Sequence, residues 1–367
     1  MERDQPTVRT AIKRAHAETH LLVSLTAFAI SVIATRLFLE LTGYPQLGDG
    51  VLHIAHALWG GLLLLAAVLL PLVAANRWAR TWSAVLSGLG VGLFIDEIGK
   101  FITQKNDYFF PPAAPVIYAV FLLLVLLFLF VRSVGKPSPR AEMYRALTSL
   151  GELLDNNLDP RELERLLARL NVARQADQPH VAGLATTLHT YLQETDIPLV
   201  PARPSIWRRL MATLERWGKR LGRRGHRIVI VLAMLILALG MVAAVAVPFL
   251  GVVAPETAGQ RFLAWQMARA DVQSSGSDFW FYARLLLEGL VGFIALGAIF
   301  FFVWHSERQA IHAALLSLML SLTGVLLLSF YLDQFSATIM ALLQFGVLLL
   351  VLAYRRWYLS DEMGFDA

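Results

Sequence analysis

Eight runs of apolar residues constrain this chain more than any other feature, because each is longer than the roughly 18 residues that mark a membrane-spanning helix. A segment of this kind folds as a helix in lipid, where only hydrogen bonds within the protein satisfy its backbone. Charged residues make up 16% of the chain, against roughly 25% in an average soluble domain, which excludes an ordinary cytosolic protein. The sequence therefore predicts an all-α, polytopic transmembrane helix bundle of about eight spans.

The expected spans divide the chain into three parts. A four-span membrane half covers residues 1–133, a small helical cytoplasmic segment covers 134–226, and a second four-span half covers 227–367. The first apolar run is not followed by a small-residue cleavage pattern, so we expect it to remain as an anchor. Cysteine is absent, which excludes disulfides and thiolate metal sites. The spans are placed at residues 21–42, 51–74, 82–103, 113–132, 227–254, 281–304, 309–331 and 335–354.

The distribution of basic residues predicts the orientation of these spans. With the N-terminus inside, the cytoplasmic segments hold 26 of the 32 Lys and Arg residues. Positive charge is retained on the cytoplasmic side of membrane proteins. The chain is therefore predicted to be a multi-pass protein of the cytoplasmic (inner) membrane with both termini in the cytoplasm.

The segment before the fifth span predicts a contact with lipid. Residues 205–224 have the pattern of an amphipathic helix, with Trp207, Leu210 and Leu214 on one face and arginines over the rest. Such a helix is expected to lie along the inner leaflet and to bind anionic lipid. The apolar face and the adjoining span argue against a nucleic-acid partner.

Ionisable side chains inside apolar spans are the main indication of function, because each costs several kcal/mol at depth. At a rise of about 1.5 Å per residue, five of them lie roughly 7 to 11 Å below the outer surface of the apolar layer. These five are Arg36, His56, Asp96, Glu97 and Glu288. Four separate helices thus bring charge to one layer, which predicts a charged intramembrane site that opens to the outer face.

Two histidines of the second span form a candidate metal motif. His53 and His56 lie one turn apart, so their imidazoles can bind one divalent ion such as Zn, and Asp96 can supply a third ligand. Asp49 could orient His53 as a hydrogen-bond acceptor. The alternative is that each histidine donates to a carbonyl or carboxylate of a neighbouring helix. The pattern alone favours this structural alternative.

Two adjacent carboxylates, Asp96 and Glu97, are the candidate catalytic groups. Gly88 and Gly92 form a small-residue face that permits close helix contact, and Asp96 continues that face towards a neighbouring helix. We expect a histidine of the second span within reach of this pair, and we expect Gly92→Leu to separate the second and third spans. Lys100 could neutralise one carboxylate as an ion pair within the helix, but not both.

Further polar residues are expected to surround the same site and to bind a ligand. They come from both halves of the chain and include the polar stretch that follows the third span. The candidate binding residues are Arg36, Lys100, Asn106, Asp107, Arg284 and Glu288.

The stretches GDGVLHIAH and FIDEIGKFITQKNDYFFPP resemble those of uncharacterised bacterial multispan membrane proteins. More distantly, they are similar to the VanZ-like group, in which an Asp and a His open one span and an acidic residue lies in the next. The resemblance covers about residues 36–115. It implies a role in the cell envelope or in the response to glycopeptides, without a settled chemistry.

Several functions remain open from the sequence. The chain is expected to bind or process a small, lipid-like or envelope-derived ligand at its charged site. One alternative is a metal-assisted membrane hydrolase, with His53, His56 and Asp96 holding the metal and Glu97 acting as base. Another is an ion- or proton-coupled transporter that uses the protonation of the carboxylates and histidines. A scaffold in which the charges only hold the bundle together is the third. The sequence does not decide whether the protein is an enzyme.

Overall fold

A computed structural model describes residues 11–43, 55–104, 110–133, 137–201, 206–253, 261, 277–333 and 337–359. All regular secondary structure in these ranges is helical, which confirms the predicted all-α fold. Within the same ranges, seven helices are long and apolar enough to cross a membrane. They correspond to seven of the eight predicted spans, and they identify the chain as a multi-pass membrane protein.

The remaining predicted span, 82–103, forms two consecutive helices. The first, α3, ends at Asp96, and the short α4 follows after Glu97, whose backbone has φ −91° and ψ 11°. This part of the chain is less apolar than the other spans, because it carries four glycines, two acidic residues and a lysine. The helices are α1 (Ala17–Thr42), α2 (His56–Val73), α3 (Arg77–Asp96), α4 (Ile98–Ile102), α5 (Ala113–Ser133), α6 (Pro139–Leu154), α7 (Pro160–Ala173), α8 (Pro179–Glu194), α9 (Ile206–Val253), α10 (Ser277–Val303), α11 (Glu307–Leu320), α12 (Leu326–Asp333) and α13 (Ala337–Tyr358).

The first of two compact units comprises residues 1–98 and 121–204. Within it α3 packs against both α1 and α2, and each contact uses different glycines. A Cβ on Gly88 or Gly92 would collide with α1, whereas a Cβ on Gly90 would lie 2.9 Å from the carbonyl oxygen of Gly60 on α2. The expectation that Gly92 holds the second and third spans together is therefore wrong. Gly92 lies against Ser31 of α1, and Gly60 and Gly90 provide the close approach of α2 to α3.

The predicted cytoplasmic segment contributes three helices, α6 to α8, to this unit. Their apolar faces share a core that includes Leu166 and Leu170, both fully buried. The sequence Asp159-Pro160-Arg161-Glu162 is typical of a helix start with a capping box, and α7 begins in this way. The Asp159 carboxylate accepts from the Glu162 amide, and the Glu162 carboxylate accepts from the Asp159 amide. An ion pair of 2.9 Å between Arg77 and Glu162 joins α7 to the start of α3.

The second unit comprises residues 99–120 and 205–367. The predicted basic helix and the fifth span are both parts of α9, which bends at Gly222, where φ is +64°. Glycine is suited to this left-handed conformation because it has no Cβ. The side chains of Trp207, Leu210 and Leu214 lie outside the described residues, and binding of this helix to anionic lipid stays a prediction.

A π-helical turn, Ser321–Val325, separates α11 from α12. Such a turn leaves its carbonyl groups outside the regular α-helical pattern. The Tyr118 hydroxyl donates to the Leu322 carbonyl oxygen at 2.6 Å, and the Ser321 hydroxyl donates to Gln344 at 2.8 Å. Side chains from α5 and α13 therefore satisfy polar groups at this irregular turn.

Candidate functional site

Four ionisable side chains from the first three helices meet in the first compact unit. They are Arg36 of α1, His56 at the start of α2, Asp96 at the end of α3, and Glu97 directly after it. We refer to these four residues as the His56 network. The network forms where it does because the glycine contacts bring α1 and α2 close to opposite sides of α3.

Asp96 is the centre of the network and is fully buried. Its Oδ1 accepts a hydrogen bond of 2.5 Å from Nε of Arg36, and its Oδ2 lies 3.1 Å from Nε2 of His56. A second nitrogen of Arg36 donates to the Asp96 carbonyl oxygen at 3.0 Å. A buried carboxylate requires such partners, because the loss of hydration would otherwise be too costly. The predicted contact between a histidine of the second span and the acidic pair is confirmed.

Glu97 is also fully buried, and it has a structural contact besides its contact with His56. Its Oε2 accepts from the backbone amide of Ala57 at 2.9 Å, so it satisfies one of the free amides at the start of α2. A negative charge is favourable at this end of a helix. The other oxygen, Oε1, lies 3.5 Å from Nδ1 of His56. Glu97 thus fixes the start of α2 against the end of α3.

His56 is the most accessible member of the network, with 21% of its side chain exposed, against 11% for Arg36 and none for the two carboxylates. Its two ring nitrogens face two different carboxylates. A neutral imidazole has a single N–H and donates to one of them, whereas an imidazolium donates to both. The arrangement therefore provides an acceptor for a second proton on the ring.

The other predicted site residues fall into two groups. His53, Asn106 and Asp107 lie outside the described residues, so their places in a site stay predictions. Lys100 lies in α4, beyond the break at Glu97, and is not on one continuous helix with the acidic pair.

Arg284 and Glu288, the last two predicted binding residues, belong to the second unit. Arg284 on α10 forms an ion pair of 2.6 Å with Asp333 at the end of α12, and its Nε lies 3.5 Å from Oε1 of Glu288. Arg284 is 94% buried, which requires compensating charge. These three side chains form a second charged cluster, with the buried Arg284 at its centre.

A metal could in principle use the histidine and carboxylates of the His56 network. Among the residues that the structure describes, no group of three His, Asp or Glu side chains has a geometry that would hold a metal ion. The predicted set of His53, His56 and Asp96 includes one residue outside that part of the chain. A divalent metal such as Zn at this set stays a prediction.

Sequence reasoning missed a recess lined by basic residues at the other end of the same helices. It lies among the starts of α1 and α3 and the helices α6 and α7. Its residues are too far apart in the sequence to form a motif, and each alone reads as an ordinary cytoplasmic arginine or histidine. The one feature of the sequence that points to this recess is the high density of basic residues in the segments predicted to be cytoplasmic.

The chain matches no protein-family model, no curated protein and no solved structure. The fold and the buried charges alone define its class. It is an integral membrane protein built as a polytopic helix bundle.

Proposed function

We propose that this protein binds a small ligand at the His56 network, and that His56 exchanges a proton as the ligand binds. The observation that carries the proposal is the position of the His56 ring, which is accessible and lies between two fully buried carboxylates. Buried ionisable groups in membrane proteins usually mark pathways, relays or binding sites.

The partners of His56 support a binding site more than a site for catalysis. Arg36 compensates Asp96, and the Ala57 amide holds one oxygen of Glu97. Both carboxylates are therefore fixed by other groups, and the imidazole is the member of the network most accessible to a ligand. The depth predicted for this layer favours a small, lipid-like or envelope-derived molecule. A carrier that uses the proton for transport is the natural extension of such a site.

The ligand is sought by analysing what remains bound to the full-length protein after purification without chelator. Wild type is compared with His56→Gln and with the matched control His312→Gln, which changes an exposed histidine of α11. Glutamine can still donate to Asp96, so we expect the His56 variant to fold. Mass spectrometry should find a small molecule with wild type and the control, and not with His56→Gln.

Two other outcomes contradict the proposal. If wild type retains no small molecule, the network has a structural role only. If elemental analysis finds a stoichiometric divalent metal that His56→Gln loses, the metal-assisted hydrolase replaces the proposal.

The proton is tested separately by ¹⁵N NMR of histidine-labelled protein in nanodiscs. His56→Gln assigns the His56 ring signals by their disappearance. At one fixed pH, we expect these signals to differ between the protein with its bound molecule and the protein from which that molecule has been removed, because the number of protonated ring nitrogens changes. A ring with the same number of N–H groups in both samples would refute proton exchange at His56.

A further inference from the structure

The recess at the starts of α1 and α3 concentrates positive charge from three different parts of the chain. It is small, with a cavity volume of about 30 Å³. The cationic or protonatable side chains that line it are His16, His20, Arg77, Arg80, Arg165 and Arg169. We refer to this feature as the basic recess.

The carboxylates of the basic recess do not balance its guanidinium groups. Two acidic side chains, Glu152 and Glu162, line the recess together with four arginines. Both carboxylates lie near Arg77, at 3.7 and 2.9 Å. With both imidazoles neutral, two positive charges remain. A phosphate monoester carries about −1.5 to −2 charges at pH 7, which matches this excess.

Within the part of the chain that the structure describes, two of the arginines use few of their hydrogen-bond donors. Arg80 donates through one nitrogen to the Ala75 carbonyl oxygen at 3.4 Å, and Arg165 donates through Nε to the Arg161 carbonyl oxygen at 3.0 Å. A guanidinium has five N–H donors in a planar fork that fits phosphate oxygens. Arg169 is already committed in part, since it donates to the Ser149 hydroxyl at 2.8 Å and lies 3.7 Å from Glu142.

The pKa of His16 is also affected by the positive charge of the basic recess. Burial, together with the nearby Arg77, Arg169, His20 and Arg165, lowers the pKa of His16 from 6.5 to about 4. The basic side chains around it therefore add to the effect of burial and disfavour a further cation. Its backbone is in the left-handed conformation, with φ 60°, and it directly precedes α1.

Exposed tryptophans lie beside the basic recess. Trp78 and Trp82, on the first turns of α3 beside Arg77 and Arg80, are 53% and 55% exposed. Tryptophan is enriched at the level of the lipid headgroups, because its ring is amphipathic. We therefore expect the recess to lie near the depth of lipid phosphates.

We propose that the basic recess is a binding site for a phosphate group, with Arg80 and Arg165 as its principal donors. The group belongs either to a phospholipid headgroup or to a soluble phosphorylated compound, since both present the same oxygens. The site is independent of the His56 network and of any ligand bound there.

The test uses the full-length protein in dodecyl maltoside micelles, because this detergent contains no phosphate. In the soluble arm, inorganic phosphate and glycerol 3-phosphate are titrated at constant ionic strength by isothermal calorimetry. In the lipid arm, phosphatidic acid is added to the micelles, and native mass spectrometry counts the lipids retained. Arg80→Gln and Arg165→Gln are compared with Arg174→Gln, which removes the same charge from an exposed position at the end of α7.

We expect saturable binding in at least one arm, and about tenfold or more weaker binding in each recess variant, because each loses a charge-assisted hydrogen bond. Arg174→Gln should bind as wild type does. Binding in the soluble arm identifies a phosphorylated compound as ligand, and retention in the lipid arm alone identifies a headgroup. The proposal is overturned if neither arm shows binding, or if Arg174→Gln loses as much affinity as Arg165→Gln. Arg165 is exposed, so its replacement is not expected to affect folding.

Discussion

The contact between α2 and α3 can be tested with two neighbouring glycines that differ in their surroundings. A Cβ at Gly60 would lie 2.7 Å from the amide nitrogen of Phe94 and 2.8 Å from the carbonyl oxygen of Gly90. Both are backbone atoms, so Gly60→Ala can be accommodated only if the helices separate, by about 0.5 Å or more. A Cβ at Gly61 would meet no heavy atom within 4 Å, which makes Gly61→Ala the matched control.

The two substitutions are expected to change the free energy of unfolding in different directions. Replacing a helical glycine with alanine stabilises by about 0.5–1 kcal/mol when nothing obstructs the methyl group. Overpacking typically costs about 1–3 kcal/mol, so Gly60→Ala should lower the free energy of unfolding by about 1–2 kcal/mol. Gly61→Ala should be neutral or stabilising.

Thermal unfolding in detergent, followed by tryptophan fluorescence, measures the difference between the two variants. Gly60 lies one turn after His56, so separation of the helices should also disturb the contact between His56 and Asp96. The same ¹⁵N signals of His56 report that change. If Gly60→Ala proves as stable as Gly61→Ala, the backbone contact described here is not what holds α2 against α3.

Three further predictions concern other parts of the chain. Leu170→Ala should destabilise α6 to α8 by about 2–5 kcal/mol, because this fully buried side chain lies in their shared core. Limited proteolysis measures the effect: residues 138–201 should lose protease resistance, and the membrane helices should keep it. Tyr118→Phe should cost about 1 kcal/mol through loss of the 2.6 Å hydrogen bond to Leu322, and an unchanged melting temperature would contradict this. Burial lowers the pKa of His16 from 6.5 to about 4 in the folded protein. Between pH 6.5 and 4 the unfolded chain therefore binds a proton at His16 and the folded protein does not, so the free energy of unfolding decreases as the pH falls through this range. His16→Asn, which tolerates the left-handed backbone, should therefore show a smaller decrease in melting temperature over that range than wild type.

The sequence predicts the helices well, because apolar runs of membrane length have few alternative structures. It also predicts the start of α7 from Asp159 and Glu162, whose reciprocal hydrogen bonds depend only on local spacing. It does not predict the break at Glu97, where the side chain satisfies an amide of another helix. That break depends on tertiary contacts, and no local pattern contains them.

The candidate site was predictable in its composition and only partly in its geometry. Equal depth placed Arg36, His56, Asp96 and Glu97 in one layer, and the structure brings these four together. Depth carries no information on which helices are neighbours, however. The sequence therefore assigned the Gly92 face to the wrong partner, and it could not assemble the basic recess, whose residues come from three separate segments.

The π-helical turn at Ser321–Val325 sets the rotational phase of everything that follows it in the same span. An α-helix turns by about 100° per residue, so one residue more or fewer rotates the next segment to a different face. Asp333 follows this turn on α12, and it reaches Arg284 only in its present phase. A π-turn holds one residue more than an α-helical turn, so deleting a single residue from it would restore a regular α-helix and keep Asp333 in the same phase. Straightening the turn into an α-helix without that deletion would instead rotate Asp333 by about 100°, away from its buried partner. The place of Asp333 in the second charged cluster therefore depends on the one extra residue that the turn contains.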